Sequence, residues 1–462
     1  MKLTTLKDTL ERIHVTPAKT LGQNFLHDQN LAEWIVDQLE LTPADHVVEL
    51  GSGLGALTEY LLPRCASVTL VEKDGRLADF LRTRFADAGK PVEVCHEDAA
   101  EFDLRPLFCH GPVKALGNLP YYISSQILLN FTAEPTPVTR LVFTLQKELA
   151  QRLSAAPSTK EYGALTLLIQ RRWRVKYLRT IPGRVFLPAP KVDSAVVSLE
   201  KRPPDEVAAC DGTLFNKLVK QGFSQRRKQL RKLLVDWNLD WPETAASIGL
   251  PETVRAEALD LAKWVELTNL VARMRGDAAA PDHGAQDVHG ELFDVVDEEN
   301  RVIRQASRFE VHRDRLNHRA VHIFVFNKSG ELFLQKRSRL KDVHPGRWDS
   351  SASGHLNAGQ EYDETAAREL EEELGVKTEV EFIIDVPASQ KTGYEFVRLY
   401  RAKHRGPFRL APAEIECGGF FPLDVIDRWL ESRPDDFSHA FCFCYELFKG
   451  VVAGQGNKAD HS

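Results

Sequence analysis

Three carboxylates in this 462-residue chain, Glu369, Glu372 and Glu373, are spaced i, i+3 and i+4. On a helix that spacing puts them on one face. Three like charges on one face repel unless a divalent cation sits between them, and hard oxygen donors suit Mg2+ or Mn2+. Such an ion bridges a substrate's phosphates and activates water. A solvated acidic face is the commoner fate of such a run, so the residues framing it decide. A second constellation lies far upstream. Gly51-Ser52-Gly53-Leu54-Gly55 follows the apolar run Val47–Leu50 and leads into a helix start at Leu57. A strand that enters a helix through glycines lets backbone N–H groups approach a ligand, with the helix dipole behind them. The next apolar run, Val68–Glu72, ends in an acid, the place from which doubly wound folds hold both ribose hydroxyls. The spacing is G-x-G-x-G rather than G-x-G-x-x-G, which favours S-adenosylmethionine over a dinucleotide.

Asn118-Leu119-Pro120-Tyr121 is the sharpest feature of the first half. An exocyclic amine has its lone pair delocalised into its ring. An asparagine oxygen and a backbone carbonyl that accept the two amine hydrogens direct that lone pair at a methyl donor. Proline fixes the carbonyl, and an aromatic at the fourth position stacks on a base. By itself the tetrapeptide also suits an ordinary turn.

These groups need a scaffold. Strands are expected at Val47–Leu50, Ser67–Glu72, Val92–Cys95, Val113–Leu116, Arg140–Leu145, Arg174–Leu178 and Ala195–Glu200, with helices between most of them. That alternation predicts a mostly parallel sheet. Gly51, Glu72, Asp98 and Asn118 then fall together at the strands' carboxyl ends, where ligands bind. Residues 213–275 look all-helical: Leu214–Ser224, Arg226–Trp237, Ala245–Ile248 and Val254–Arg273. Gln225–Lys232 packs five cations into eight residues, a solvated helix face or a phosphate-contact face. Residues 276–287 have no periodic apolar face and read as a linker. Beyond it strands dominate (Leu292–Val296, Ala320–Phe326, Leu332–Lys336, Phe396–Ala402), interrupted by a single strong helix, Asp363–Leu374, which describes an α+β domain.

Composition agrees with several domains. Hydrophobic content of 43% and 27% charged residues describe a globular chain, and 462 residues exceed one ordinary core. The net charge of −6 is uneven: residues 1–275 carry 36 Lys and Arg against 33 Asp and Glu, and the remainder 24 against 33. The first part could meet a phosphate backbone; the second needs a metal to do so. No run of 18 apolar residues suggests a membrane span, and Met1–Val15 lacks an apolar signal core, so a cytoplasmic location is expected. Seven cysteines sit singly, apart from Cys442 and Cys444 on an expected strand, and no C-x-x-C suggests zinc or a disulfide frame.

Two resemblances sharpen these readings. Lys19–Leu26, the glycine loop, Gly117–Ser125, Val185–Ala195, Phe223–Lys228 and Arg255–Glu257 resemble the ribosomal RNA adenine dimethyltransferase family, in order across residues 10–273. Ser52 stands where proline is usual in that family. The resemblance implies a Rossmann-like α/β methyltransferase core (1–205) with a small all-helical RNA-binding subdomain (206–275). It implies two methyl transfers from S-adenosylmethionine to N6 of adenosine. By position, Asn24, Leu26, Gly51, Glu72, Asp98 and Asn118 line the cofactor site. Glu72 holds the ribose and Asp98 the cofactor's adenine amine. Asn118 and the Leu119 and Pro120 carbonyls orient the target amine, while Tyr121 and Phe186 sandwich the target base. Arg226, Arg227, Lys228 and Arg231 contact RNA. The Val185–Ala195 segment and the helical region favour the housekeeping branch. That branch dimethylates two adjacent adenosines near the 3′ end of small-subunit (16S) rRNA in ribosome biogenesis. The alternative is the large-subunit, antibiotic-resistance branch.

Gly354 to Val376 resembles the Nudix box, G-x5-E-x7-R-E-U-x-E-E-x-G-U, with Gln360 where its first glutamate belongs. The resemblance implies a metal-dependent Nudix hydrolase domain (288–462) acting on a nucleoside-diphosphate-linked or other diphosphate. It implies Glu369, Glu372 and Glu373 as Mg2+ or Mn2+ ligands, Glu395 as fourth ligand or base, and Arg368 as the residue that orients them. His318–Asn327, Leu334–Arg337 and Pro345–Asp349 resemble Nudix members close to isopentenyl-diphosphate isomerase. Ser353 stands where the isomerase needs a catalytic cysteine, which points away from isomerisation. His312, His318 and His355 echo isomerase metal ligands, and each alone also suits a structural role. A contrasting hypothesis makes the chain an assembly or RNA-binding factor whose Nudix site is idle.

Overall fold

The computed structural model describes residues 1–17, 22–274, 291–341, 343–411 and 413–459, the last seven by backbone alone. The linker expected at 276–287, and Lys19–Leu21 of the first motif, lie outside the described residues. The chain divides into two compact units, Met1–Val271 and Ala272–Ser462.

The first unit is built on seven strands: β1 (His46–Leu50), β2 (Ser67–Glu72), β3 (Val92–His96), β4 (Val113–Asn118), β5 (Val138–Gln146), β6 (Trp173–Ile181) and β7 (Ser194–Lys201). Their order is β3-β2-β1-β4-β5-β7-β6. The first five are parallel, and β7 pairs antiparallel with both β5 and β6. Central strands buried on both faces read as continuous apolar runs, as Val47, Val48 and Leu50 do. Register decides what the strand ends present. Leu50 pairs with Val71 and with Gly117, and Glu72 pairs with His96. Gly51, Glu72, Asn118 and, two residues past β3, Asp98 therefore stand along one edge. Two short extended pieces, Phe25–Leu26 and Phe186–Leu187, pair antiparallel beside it.

The helical region differs from expectation in one place. Arg226–Trp237 is not one helix. Residues 224–228 form bends and turns, an α-turn covers Leu230–Leu233, and a 3-10 turn covers Val235–Trp237. The preceding helix, Gly212–Gly222, ends where the Ser224 hydroxyl and N–H both donate to the Gln221 carbonyl. Arg226 is then drawn away to Glu257 and to the carbonyls of Thr159 and Lys160. Tertiary contacts override the helix propensity of the Arg-Arg-Lys run.

The second unit adds a hairpin, β8 (Leu292–Val296) with β9 (Val302–Ser307), and a mixed sheet. The sheet comprises β10 (His318–Phe326), β11 (Leu332–Arg337), β12 (Trp348–Asp349), β13 (Ala352–His355), β14 (Val380–Val386), β15 (Glu395–Lys403) and β16 (Ile415–Phe421). Its order is β12-β11-β10-β15-β14, with β13 on β10 and β16 on β11. The helix Tyr362–Leu374 buries Ala366, Leu370 and Leu374 against Val321, Ile323 and Val325 of β10. It is not the single helix expected. Arg308–Asp314, Leu423–Ser432 and His439–Ala459 are helices too. Cys442 and Cys444 accordingly lie on a helix, not a strand. The aromatic-rich run around them suggests a strand, but the buried Phe441, Cys444, Tyr445 and Phe448 follow i, i+3, i+4, i+7.

Candidate active sites

The carboxyl ends of β1, β2 and β4 open into a cleft of about 970 Å³, counting its mouth. Asn24, Leu26, Gly51, Glu72, Asp98 and Asn118 all line it, with Leu119 and Pro120. Gly51, Gly53 and Gly55 take φ of +65°, +57° and +76°, a left-handed turn that side chains resist. That turn aims the Gly53 N–H at Glu72, which accepts it at 2.8 Å and the Asp74 N–H at 2.9 Å. Both oxygens of Glu72 are thereby pinned, with lone pairs to spare for ribose hydroxyls. Burial pushes its carboxyl up. Asp98 is less enclosed. Burial pushes it up, but the Lys73 ammonium at 2.5 Å and the Ala100 N–H at 3.0 Å outweigh that and hold it below the usual range.

Asn118 shows its chemistry in its hydrogen bond. Its Nδ2 donates to the Asn24 carbonyl at 2.7 Å, an orientation that turns Oδ1 into the site's acceptor. The Pro120 carbonyl accepts the Ile123 N–H at 3.3 Å, a turn bond. The sandwich residues are placed otherwise than expected. Phe186 is 3% exposed and packs with Leu26, Ile181 and Val196 in the core. Tyr121 turns its hydroxyl to Ser194 Oγ at 2.6 Å and does not line the cleft; Tyr122, 56% exposed, does. Arg226 bonds Glu257 Oε2 at 2.7 Å and the Thr159 carbonyl at 2.7 Å, so it ties the helical region to the core. Arg227, Lys228 and Arg231 stand exposed.

In the second unit, Glu369 and Glu373 are buried on one face of the helix while Glu372 is exposed. Arg368 bridges Glu369 at 2.8 Å and Glu372 at 2.7 Å. Gly354 is the cradle: a Cβ there would lie 2.0 Å from Glu369 Oε1. Glu373 accepts from Gln335 Nε2 at 3.0 Å and the Ser353 N–H at 3.2 Å. Burial pushes both carboxyls up, with added repulsion from Glu372 at Glu369 and from Glu369 at Glu373. Two buried like charges on hard oxygens are what a divalent cation neutralises, so the residues fit the ion that the spacing implies. Gln360 braces the loop as a glutamate would, its Oε1 accepting the Asn357 N–H at 3.2 Å. Glu395 is not part of this face. Its parallel pairing opposite His318 places it 3.0 Å from His355 Nε2 and 3.7 Å from His318 Nε2. His312, His318 and His355 have rings 5.1–5.2 Å apart and ligand atoms within 4.8 Å of one another. Burial pushes His318 down to about 4, which keeps its imidazole neutral, while the histidines hold Glu395 down at about 2 despite burial.

Comparison with known proteins identifies the families that the two parts of the chain match. Residues 16–273 match the family model of ribosomal RNA adenine dimethylase. The chain belongs to that family. It is 37% identical over 275 residues to the ribosomal RNA small subunit methyltransferase A of Alkaliphilus metalliredigens, covering 58% of this chain and 96% of that protein. It is 36% identical over 286 residues to the protein of the same name from Geobacillus kaustophilus, with the same coverage. A solved structure of the 23S rRNA methyltransferase ErmE is 25% identical, with TM-score 0.45, covering 53% of this chain and 98% of that one. Residues 316–441 match the NUDIX domain model.

In the dimethylase unit, sequence reasoning missed Glu49, Lys73 and Tyr122, all of which line the cleft. Glu49, two residues before Gly51, was legible as an acid inside an apolar strand. In the Nudix domain it missed Gln335, whose polarity inside the apolar β11 was the signal.

Proposed function

We propose that the dimethylase unit transfers methyl groups from S-adenosylmethionine to N6 of two adjacent adenosines near the 3′ end of small-subunit rRNA, in the cytoplasm. The observation that carries this is the Asn118 side chain, its Nδ2 committed to Asn24 and its Oδ1 left to accept. When bound, S-adenosylmethionine supplies the electrophilic methyl group. Glu72 holds the ribose and Asp98 the adenine amine; Asn24, Leu26 and Gly51 complete the cofactor's walls. Asn118 Oδ1 and the Leu119 carbonyl accept the target amine's hydrogens, aligning its lone pair, and Pro120 fixes the backbone that presents them. Tyr121 and Phe186 become the stacking platform only once the flipped base displaces their present packing. Arg227, Lys228 and Arg231 contact phosphates. Labelled methyl transfer to unmethylated small subunits tests this reading; no transfer by the wild type sinks it.

The Nudix domain is proposed to hydrolyse a diphosphate-linked small molecule. Glu369 and Glu373, with Glu372 at the rim, would hold Mg2+ or Mn2+, which supplies Lewis-acid activation of water and phosphate. Arg368 orients Glu369 and Glu372. The histidine trio with Glu395 suits a borderline ion such as Zn2+. Phosphate-release assays on nucleoside-diphosphate-linked compounds, with Glu373→Gln as control, test it; equal release by wild type and variant refutes it.

A further inference from the structure

Asn118-Leu119-Pro120 is followed by two tyrosines that the fold turns different ways. Tyr121 sends its hydroxyl to Ser194 Oγ, while Tyr122 stands exposed in the wall of the cleft. The backbone that carries them is fixed on both sides of the pair. The Ile123 N–H donates to the Pro120 carbonyl, and the buried Ser124 hydroxyl donates to the Tyr121 carbonyl at 3.1 Å as the helix Ser124–Thr132 begins. Gly22 supports the other side. Its φ is +62°, and a Cβ there would lie 3.1 Å from Pro120 Cβ and 3.4 Å from Tyr122 Cδ1. Pro120 and the Tyr122 ring therefore both abut Gly22. The same loop reaches Asn118: the Gly22 carbonyl accepts from Asn24 Nδ2 at 3.0 Å, and the Asn24 carbonyl accepts from Asn118 Nδ2. The Tyr122 hydroxyl makes no hydrogen bond among the described residues. A lone exposed aromatic is ordinary on a protein surface. This one is braced against the loop that holds Asn118, and a tyrosine with a fixed root loses little entropy on contact, having two χ angles to order.

We propose that Tyr122 stacks on the nucleobase next to the adenosine being methylated. The proposal rests on the reading of this unit as a methyltransferase acting on two adjacent adenosines. A strand that delivers one base to Asn118 leaves the adjoining base at the mouth of the cleft. Extruding the first base also strips its neighbour of a stacking partner. An aromatic ring replaces that partner, and it does so for any base, since every base has a π-face. Consecutive Cα atoms lie about 3.8 Å apart, so one short turn serves both positions: Tyr121 on the inner side and Tyr122 on the outer. A ring that merely covers the cofactor makes a different prediction, because its removal weakens cofactor binding and ignores the neighbouring base.

The test is labelled methyl transfer by the full chain to unmethylated small subunits at low subunit concentration, which reads kcat/KM. Tyr122→Ala should lower it about tenfold, the loss of one base–aromatic stack. Tyr122→Phe, which keeps the ring, should restore it. Affinity for S-adenosylmethionine by calorimetry should be the same in all three proteins, which also shows that the variants fold. Two further substrates carry an abasic nucleotide in place of one or the other adenosine of the pair. In one of them the base facing the ring is missing, and there the difference between wild type and Tyr122→Ala should vanish. Wild-type kcat/KM in Tyr122→Ala overturns the proposal. So does a loss that persists on both abasic substrates, a Tyr122→Phe as poor as Tyr122→Ala, or a cofactor affinity that falls with the rate. If the wild type transfers no methyl group to intact subunits, the methyltransferase reading itself fails.

Discussion

Glu49 offers the most quantitative test of how the dimethylase unit is built. It lies in β1, two residues before the glycine turn, and is 1% exposed. Its Oε2 accepts the Thr58 hydroxyl at 2.6 Å, and the Glu72 carboxylate lies near enough to repel it. Burial, more than that repulsion, pushes its carboxyl from an ordinary 4.5 up to about 8. The unfolded chain therefore ionises Glu49 before the folded one does. As pH rises from 4.5 the unfolded state gains, and folding stability falls by about 1.4 kcal/mol per pH unit until the folded group itself ionises. Between pH 5.5 and 7.5 that loss is about 2.5 kcal/mol. Glu49→Gln removes the slope while its amide oxygen still accepts from Thr58. Relative to wild type, the variant should gain about 5–10 °C in Tm between those two pH values. Thermal unfolding of the full chain measures it, with the transition that S-adenosylmethionine raises taken as that of this unit. A Tm difference that stays constant with pH would refute the reasoning, because a hydrogen-bond or packing effect has no such window.

Other expectations follow from single contacts. Asn118→Ala should lower the methyl-transfer rate about 100-fold, with cofactor affinity by calorimetry changed far less, because the lost acceptor acts on the amine. Arg227→Ala should reduce the slope of log affinity for rRNA against log salt by about 1. Arg226→Ala should leave that slope unchanged and cost about 1 kcal/mol of stability, since the guanidinium is committed to Glu257 and carbonyls and is partly screened. Gly354→Ala drives a methyl into Glu369 and should destabilise the second unit by about 1–3 kcal/mol while abolishing Mg2+ binding by calorimetry.

The cofactor cleft was legible because it depends on strand ends. In a parallel sheet the acid or amide that closes each apolar run falls at the same edge, so Gly51, Glu72, Asp98 and Asn118 could be brought together from spacing alone. Side chains whose position depends on pairing between distant segments were not legible. Phe186 is buried because Phe186–Leu187 pairs with Phe25–Leu26, some 160 residues earlier, and nothing local announces that. Arg226 belonged to a cation run whose sum was visible, but its partner, Glu257, lies 31 residues on. Glu395 was read as a fourth metal ligand or a base; only its parallel register with His318 shows that it sits among histidines. The Cys442–Cys444 stretch failed for another reason. Aromatic and thiol side chains favour strands locally, and the helical spacing of the buried members emerges only over two turns.

The two sites share one electrostatic device. Each buries carboxylates beyond what its own cations neutralise: Glu49 and Glu72 beneath the glycine turn, Glu369 and Glu373 behind Gly354. In both, burial pushes the pair up. A folded protein keeps such an arrangement at a cost in stability unless something positive relieves it. For the dimethylase unit the sulfonium and ammonium of the proposed cofactor, S-adenosylmethionine, would do so. For the Nudix domain a divalent ion would do so. The glycines at both sites have one physical role. A Cβ at Gly354 would occupy the space of Glu369, and the left-handed turn at Gly51–Gly55 aims a backbone N–H at Glu72 instead of a side chain. At Glu72 and Glu373 backbone N–H groups then hold the carboxylate in place without cancelling its charge. That is why the charge remains available to the ligand, and why replacing these glycines should harm binding before it harms the fold.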